Sequence, residues 1–294
     1  MARARVLTFL ASMSAFAPLA SLPQRGVRDD AAAEKLGWRL GTQAWTFRDR
    51  SAFEVVEIAD RLGLKYVEFY PGQKLRKGDD KLLLNPDLAA DQVAAFKKHL
   101  EKYKVKAVSF GVVSFTKDEA AGRKLFEFAK TLGLENLSAE PELDALDLMD
   151  KLASEYSIKI ALHNHPQGDS QYWNPEAVLE AMKGRKQIGA CADTGHWTRS
   201  GLVPVDCLKK LEGHVIELHF KDLSDFGKKE AFDLPWGMGK SDARGILAEL
   251  KRQGFRGLIS VEYESGAGPE LEANVARCIG WFDETAKELA SAKQ

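Results

Sequence analysis

The 294-residue sequence is poor in cysteine, carries no surplus of either charge, and has no long apolar run after its first thirty residues. Cys191, Cys207 and Cys278 are odd in number and widely spaced. That spacing excludes a disulfide framework and a cysteine zinc knot, and the three read as buried small hydrophobes. Lys and Arg total 42 against 43 Asp and Glu. A chain so near neutrality lacks the field that non-specific phosphate binding needs, so nucleic acid is not an expected partner. No GxGxxG follows the first apolar run, which leaves a dinucleotide-binding sheet without support. No low-complexity linker interrupts residues 36–290, which are expected to form one domain.

What is present begins with the leader. A basic start, MARAR, precedes the uncharged VLTFLASMSAFAPLASL and then the polar QRGVRDD. That is the layout of a secretory signal peptide, so residues 1–30 are expected to be signal peptide and disordered leader. The expected location is secreted or periplasmic, without stable membrane insertion, because the run is short for a span.

Eight short apolar runs follow: WRLGTQAW, KYVEFY, KAVSFGVV, ENLSAE, IKIALHNH, IGACAD, HVIELHF and GLISVEY. Segments with helical spacing separate them, and Gly63, Gly133 and Gly254 stand where helices should stop. Strand–helix alternation repeated eight times predicts an α/β fold, a closed (β/α)8 TIM barrel over residues 36–290 behind the leader. Chemistry in such a barrel sits at the C-terminal ends of the strands. Glu68, Glu140, His163, His165, Asp193, His219 and Glu262 fall at the ends of six runs, with His196 just beyond. Imidazoles and carboxylates gathered on one rim suit one divalent cation, manganese first, with zinc, cobalt, iron or nickel compatible. Trp45, Phe47, Tyr70, Tyr172, Trp173, Trp197 and Trp236 also lie at or beyond run ends, where flat faces can stack on a sugar. Phe47 and Tyr70 fit the core better.

The segments ADTGHW (Ala192–Trp197), ELHFKD (Glu217–Asp222), PWGMGKSD (Pro235–Asp242) and SVEYE (Ser260–Glu264) resemble the xylose isomerase-like TIM barrel superfamily, in its sugar phosphate isomerase/epimerase branch. The resemblance covers about Leu40 to Glu264 and implies one divalent cation held by Asp193, His219, Glu262 and a fifth-strand residue. Relatives place Glu at that fifth position, where this chain has His163; His163 or the neighbouring Glu140 is then the fourth ligand. An arginine expected six residues past the seventh-strand His is replaced by Asp225.

Such a site implies a carbohydrate isomerase or epimerase that removes a proton beside a carbonyl through a metal-bound enediolate. Glu262 is the first choice of base, with His165, His163 or Glu140 as a second acid/base group. His196, Trp45, Trp197 and Trp236 would contact the sugar. Lys221 would steady an oxyanion or, alternatively, form a surface ion pair with Asp222. The rim is read as poor in arginine, and exported enzymes do not normally meet sugar phosphates, so free sugars or keto-glycosides are the expected substrates. Elimination of the aglycone from a 3-keto-glycoside is the alternative reaction. A non-catalytic sugar-binding protein and an AP endonuclease are weaker readings, the second because it needs three metals and a basic groove. Oligomeric state is open, a homodimer being compatible.

Overall fold

Helix and strand signals in this chain are local and mutually consistent. Ser51 and Glu54 form a reciprocal capping box at the start of the first crossover helix, Ala52–Arg61. Asn174 caps the helix Pro175–Met182, whose proline sits at its first turn. Gly63, Gly133 and Gly254 all take positive φ just past helix ends.

The computed structural model describes residues 28–292; of the signal peptide and leader expected over residues 1–30, residues 1–27 lie outside the described residues. The eight barrel strands are β1 (Trp38–Gln43), β2 (Tyr66–Phe69), β3 (Lys106–Phe115), β4 (Asn136–Pro141), β5 (Lys159–His163), β6 (Ile188–Asp193), β7 (Val215–Phe220) and β8 (Gly257–Val261). Each pairs in parallel with its neighbours, and β8 pairs with β1, so the sheet closes into the expected (β/α)8 barrel. A closing helix, Gly268–Ser291, completes the outer ring, and Arg28 is tied to its Asp283 at 2.6 Å. Among the described residues no helix is long and apolar enough to cross a membrane.

The shell between sheet and helices is apolar, but the inside of the ring is not. Ser109 on β3 and Asn136 on β4 donate to the two carboxylate oxygens of Glu217 on β7, at 3.0 and 2.9 Å. Neither β3 nor β4 neighbours β7, so both bonds cross the barrel interior. Burial first, and then nearby Glu68, pushes the Glu217 carboxyl up to about 8. This polar floor lies two residues below His219 on the same strand, and successive inward positions alternate along a strand.

The ring leaves no space at Gly189 on β6. An added Cβ would lie 2.6 Å from the His214 carbonyl oxygen and 2.7 Å from Ile216 Cδ1. Gly189→Ala should therefore lower unfolding stability by about 1–3 kcal/mol, read as a lower urea midpoint with an unchanged slope.

Candidate metal centre and active site

The CADTGHW stretch is built from β6 outward. Asp193 ends the strand and caps a short helix, α1 (Thr194–Arg199), its Oδ1 accepting from His196 N at 2.7 Å. Nothing in the sequence marks those six residues as helical; the cap residue and the tertiary packing produce the turn. Asn164 exchanges two bonds with the Asp193 backbone, at 2.9 and 3.0 Å, and so ties the ends of β5 and β6 together. Thr194 Oγ1 accepts from Lys221 N and donates to Lys221 O, both at 2.9 Å. A Cβ on Gly195 would lie 2.7 Å from the Lys221 stem, so only glycine leaves room for that side chain. Thr194, Gly195 and the His196 backbone thus aim Asp193 or Lys221.

Around Asp193 four ligand-type atoms converge. One each from His163, Asp193, His219 and Glu262 lie within 4.8 Å of one another, and all four residues are buried. His219 Nε2 lies 2.7 Å from Glu68 Oε2, across the barrel. A carboxylate only accepts, so Nε2 carries a proton, and Nδ1 faces Glu262 Oε2 at 3.1 Å. His163 repeats the arrangement. Its Nδ1 lies 3.1 Å from Glu140 Oε1, and its Nε2 faces Asp193 Oδ2 at 3.6 Å. His219 Nδ1 and Glu262 Oε2 are buried without a hydrogen-bond partner among the described residues. Orphaned nitrogen and oxygen atoms converging on one point fit a divalent cation. Of the two candidates for the fourth position, His163 lies within this cluster, and Glu140 stands behind it in a second group of ligand-type atoms with His163 and His165.

Lys221 is fully buried against this cluster. Its Nζ is 2.7 Å from Asp193 Oδ2 and 2.7 Å from Glu262 Oε2, the second contact lying off the line of a hydrogen bond. Burial alone would raise both carboxyls, yet the neighbouring groups win. His196 and Lys221 hold Asp193 well below its usual range, and Lys221 and His219 do the same to Glu262. Burial would lower the Lys221 ammonium, and the carboxylates hold it well above its usual range instead. The surface ion pair between Lys221 and Asp222 is therefore overturned. Asp222 points away and accepts from Gly237 N and Gly239 N at 2.9 Å and Ser241 N at 3.0 Å, pinning the PWGMGKS loop.

A family model described as xylose isomerase-like TIM barrel matches residues 56–285. The chain belongs to the xylose isomerase-like TIM barrel family. An uncharacterized protein from Parabacteroides distasonis ATCC 8503 is 34% identical, covering 84% of this chain and 99% of its own, with a TM-score of 0.68. A D-tagatose 3-epimerase-like protein is 18% identical over 85% of this chain and 98% of its own, TM-score 0.67. A xylose isomerase-like TIM barrel protein from Mycobacterium smegmatis, solved with magnesium, is 15% identical over 87% and 99%, TM-score 0.67. The last two likenesses are of fold alone. No curated protein matches the chain.

The mouth of the barrel holds a cavity of about 510 Å³, bordered by His163, His165, His196 and Glu262. His165 is half-exposed, and its Nδ1 makes a short contact with Glu140 Oε1. Burial would raise Glu140, but the two imidazoles pull it down to about 2. His196 is held well below its usual value, chiefly by burial, and is a neutral imidazole. Its Nδ1 accepts from Arg199 Nη1 at 3.2 Å.

The aromatic expectations divide. Trp45 lines the cavity at 41% exposure, and Tyr70, expected in the core, lines it too. Trp197 and Trp236 are only 1% and 2% exposed and do not line it, so they cannot stack on a sugar there. Trp236 packs instead on Phe220, ring centroids 4.3 Å apart. Phe47 is core as expected, and Tyr172 is buried with its hydroxyl donating to Pro141 O at 2.7 Å. The reading of an arginine-poor rim missed Arg199, which lines the cavity and pairs with Glu264 at 3.1 Å. Its signal was the spacing Asp193, His196, Arg199, three residues apart on one helix face. Gln43, Asp169, Lys229 and Glu264 also border the cavity without having been singled out.

Two predictions follow from this geometry. Glu68→Gln should weaken any divalent-cation binding at the cluster by about 10–100-fold in titration calorimetry, because the His219 imidazole loses its anionic acceptor. The second concerns Asp233, buried on the loop after β7, whose Oδ2 accepts from Glu264 N at 3.1 Å while Oδ1 has no partner among the described residues. Burial pushes this carboxyl up to about 7. The folded chain thus keeps a proton that the unfolded chain releases near about pH 3.9, so the contribution of Asp233 to stability is fully present below that value and lost as pH rises to about 7. Urea unfolding should show Asp233→Asn gaining on wild type across that interval. A difference that stays constant with pH would contradict the assignment.

Proposed function

We propose that this protein is a divalent-metal-dependent carbohydrate isomerase or epimerase that removes a proton beside a carbonyl through an enediolate. The observation that carries the reading is the meeting of a four-donor cluster with a Glu140–His165 pair at one cavity. His163, Asp193, His219 and Glu262 would hold the ion, manganese being the first choice. Fold relatives described as D-tagatose 3-epimerase-like and as a magnesium complex support it. When bound, the cation supplies Lewis-acid polarisation of the carbonyl.

The remaining roles belong to side chains. Glu262, the first choice of base from sequence, has its charge engaged by Lys221 and sits in the donor cluster, which makes it a poor proton acceptor. His165 takes that role. Glu140 fixes its Nδ1 side, leaving Nε2 to accept the substrate proton and return it. Lys221 keeps a positive charge beside the cluster, where an oxyanion develops. Neutral His196, positioned by Arg199, borders the space for substrate hydroxyls.

The alternative reaction, aglycone elimination from a 3-keto-glycoside, uses the same proton removal. The half-exposed His165 favours keeping it, because an imidazole beside the cavity can hand its proton to a leaving oxygen. Export, read from the first thirty residues, belongs to this proposal and is checked by cell fractionation.

The test is proton exchange. The Mn²⁺-loaded protein should wash deuterium into the carbon beside the carbonyl of a keto-sugar or 3-keto-glycoside, followed by NMR. His165→Ala should slow exchange by about 10²–10⁴-fold while retaining metal, whereas Asp193→Ala should lose the metal itself. Absence of exchange across both substrate classes would sink the proposal.

A further inference from the structure

We infer that Trp45, Tyr70 and Pro71 form a second subsite for a flat, apolar-faced substituent on the reacting sugar, so that the substrates are neutral keto-glycosides and not free monosaccharides. The inference rests on the sugar-chemistry reading above and deepens it by naming the substrate class.

Topology places the subsite. In a closed ring of eight strands β1 stands opposite β5, and β2 opposite β6. Trp45 follows β1 and Tyr70 and Pro71 follow β2, while His165 follows β5 and His196 follows β6. All of them line the same cavity. The mouth therefore has an imidazole wall facing an aromatic wall. A ligand held at His165 and His196 that reaches across must present something to Trp45.

Trp45 is built to receive it. It leaves 41% of its surface uncovered, whereas Trp38, Trp197 and Trp236 are buried in the core. It is also immobilised. Gln43 Oε1 accepts from Trp45 N at 2.8 Å, and Gln43 Nε2 donates to Gly111 O at 2.9 Å, which locks the turn. The indole stands edge-to-face with Tyr70, centroids 5.1 Å apart at 84°. The Arg48 guanidinium lies 5.9 Å from the ring centroid and is itself tied to Glu264 O at 3.1 Å. A rigid aromatic surface that borders a cavity loses little entropy when a second ring covers it.

Charge selects against acidic ligands. Of the cavity-lining cations among the described residues, Arg199 is paired with Glu264 at 3.1 Å and Lys229 with Asp169 at 2.8 Å. With Asp169, Glu262 and Glu264 on the same lining, carboxylates outnumber these two cations and disfavour a phosphate or carboxylate, so the two-part ligand is uncharged.

The test measures binding of phenyl and methyl β-D-glucopyranoside to the Mn²⁺-loaded protein by titration calorimetry. The phenyl glycoside should bind about tenfold more tightly than the methyl glycoside, the amount one well-stacked ring provides. In Trp45→Ala the ratio should fall to near unity through loss of the phenyl affinity alone. Trp45→Phe should keep most of the ratio, and it covers the case in which the alanine variant does not fold. No phenyl preference in the wild type, or a preference untouched by Trp45→Ala, would overturn the inference. Deuterium exchange separates the two readings. Exchange without a Trp45-dependent preference removes the subsite and leaves the reaction, while a Trp45-dependent preference without exchange does the reverse.

Discussion

The Lys221 ammonium, closed in between the carboxylates of Asp193 and Glu262, is the contact on which the site depends. Two buried carboxylates a few ångströms apart repel one another, and each gives up its hydration on folding. An ammonium 2.7 Å from an oxygen of each supplies the missing counter-charge inside the protein. The chain invests several residues in placing it. Thr194 fixes the Lys221 backbone, Gly195 gives up its side chain to admit the stem, and Asp222 turns away to hold a loop. What looks in sequence like an exposed Lys-Asp pair is a buried cation followed by a loop anchor.

The two imidazoles facing the cluster are held by the same device. Glu68 stands behind His219 and Glu140 behind His163, each on the nitrogen directed away from the cluster. A carboxylate in that position sets the tautomer, steers the ring and raises its basicity toward whatever lies in front. Because β2 and β7 are not neighbours, the Glu68–His219 contact also spans the barrel, so closing the sheet and orienting the donor are one event. The polar floor of Ser109, Asn136 and Glu217 continues that logic downward. A barrel interior is usually filled by branched apolar residues; here much of that packing gives way to a supporting stack for the mouth.

Glu140 links the donor cluster to the open cavity. One of its oxygens faces both His163, which is buried, and His165, which is half-exposed. With His163 at the end of β5, where the resemblance implied a Glu, the strand end is not left without a carboxylate, since Glu140 stands one strand away. The adjustment separates two duties. The groups that hold charge in place are buried, and the imidazole that can exchange protons with a ligand is in contact with the cavity.

By itself the sequence determined the architecture and the rim. Eight apolar runs separated by amphipathic stretches admit little except a closed parallel barrel, because strand and helix periodicities are written in local residue order. The strand-end positions of Glu68, Glu140, His163, Asp193, His219 and Glu262 followed from the same count. Tertiary structure alone decided orientation: which nitrogen of His219 faces Glu68, that Lys221 is buried, that Trp197 and Trp236 belong to the core while Trp45 faces the cavity, and that Thr194–Arg199 is helical and carries Arg199 to the wall. Those facts depend on contacts between residues as much as 151 positions apart. Charge neutralisation and burial are properties of the assembled ring, and no local stretch of chain contains them.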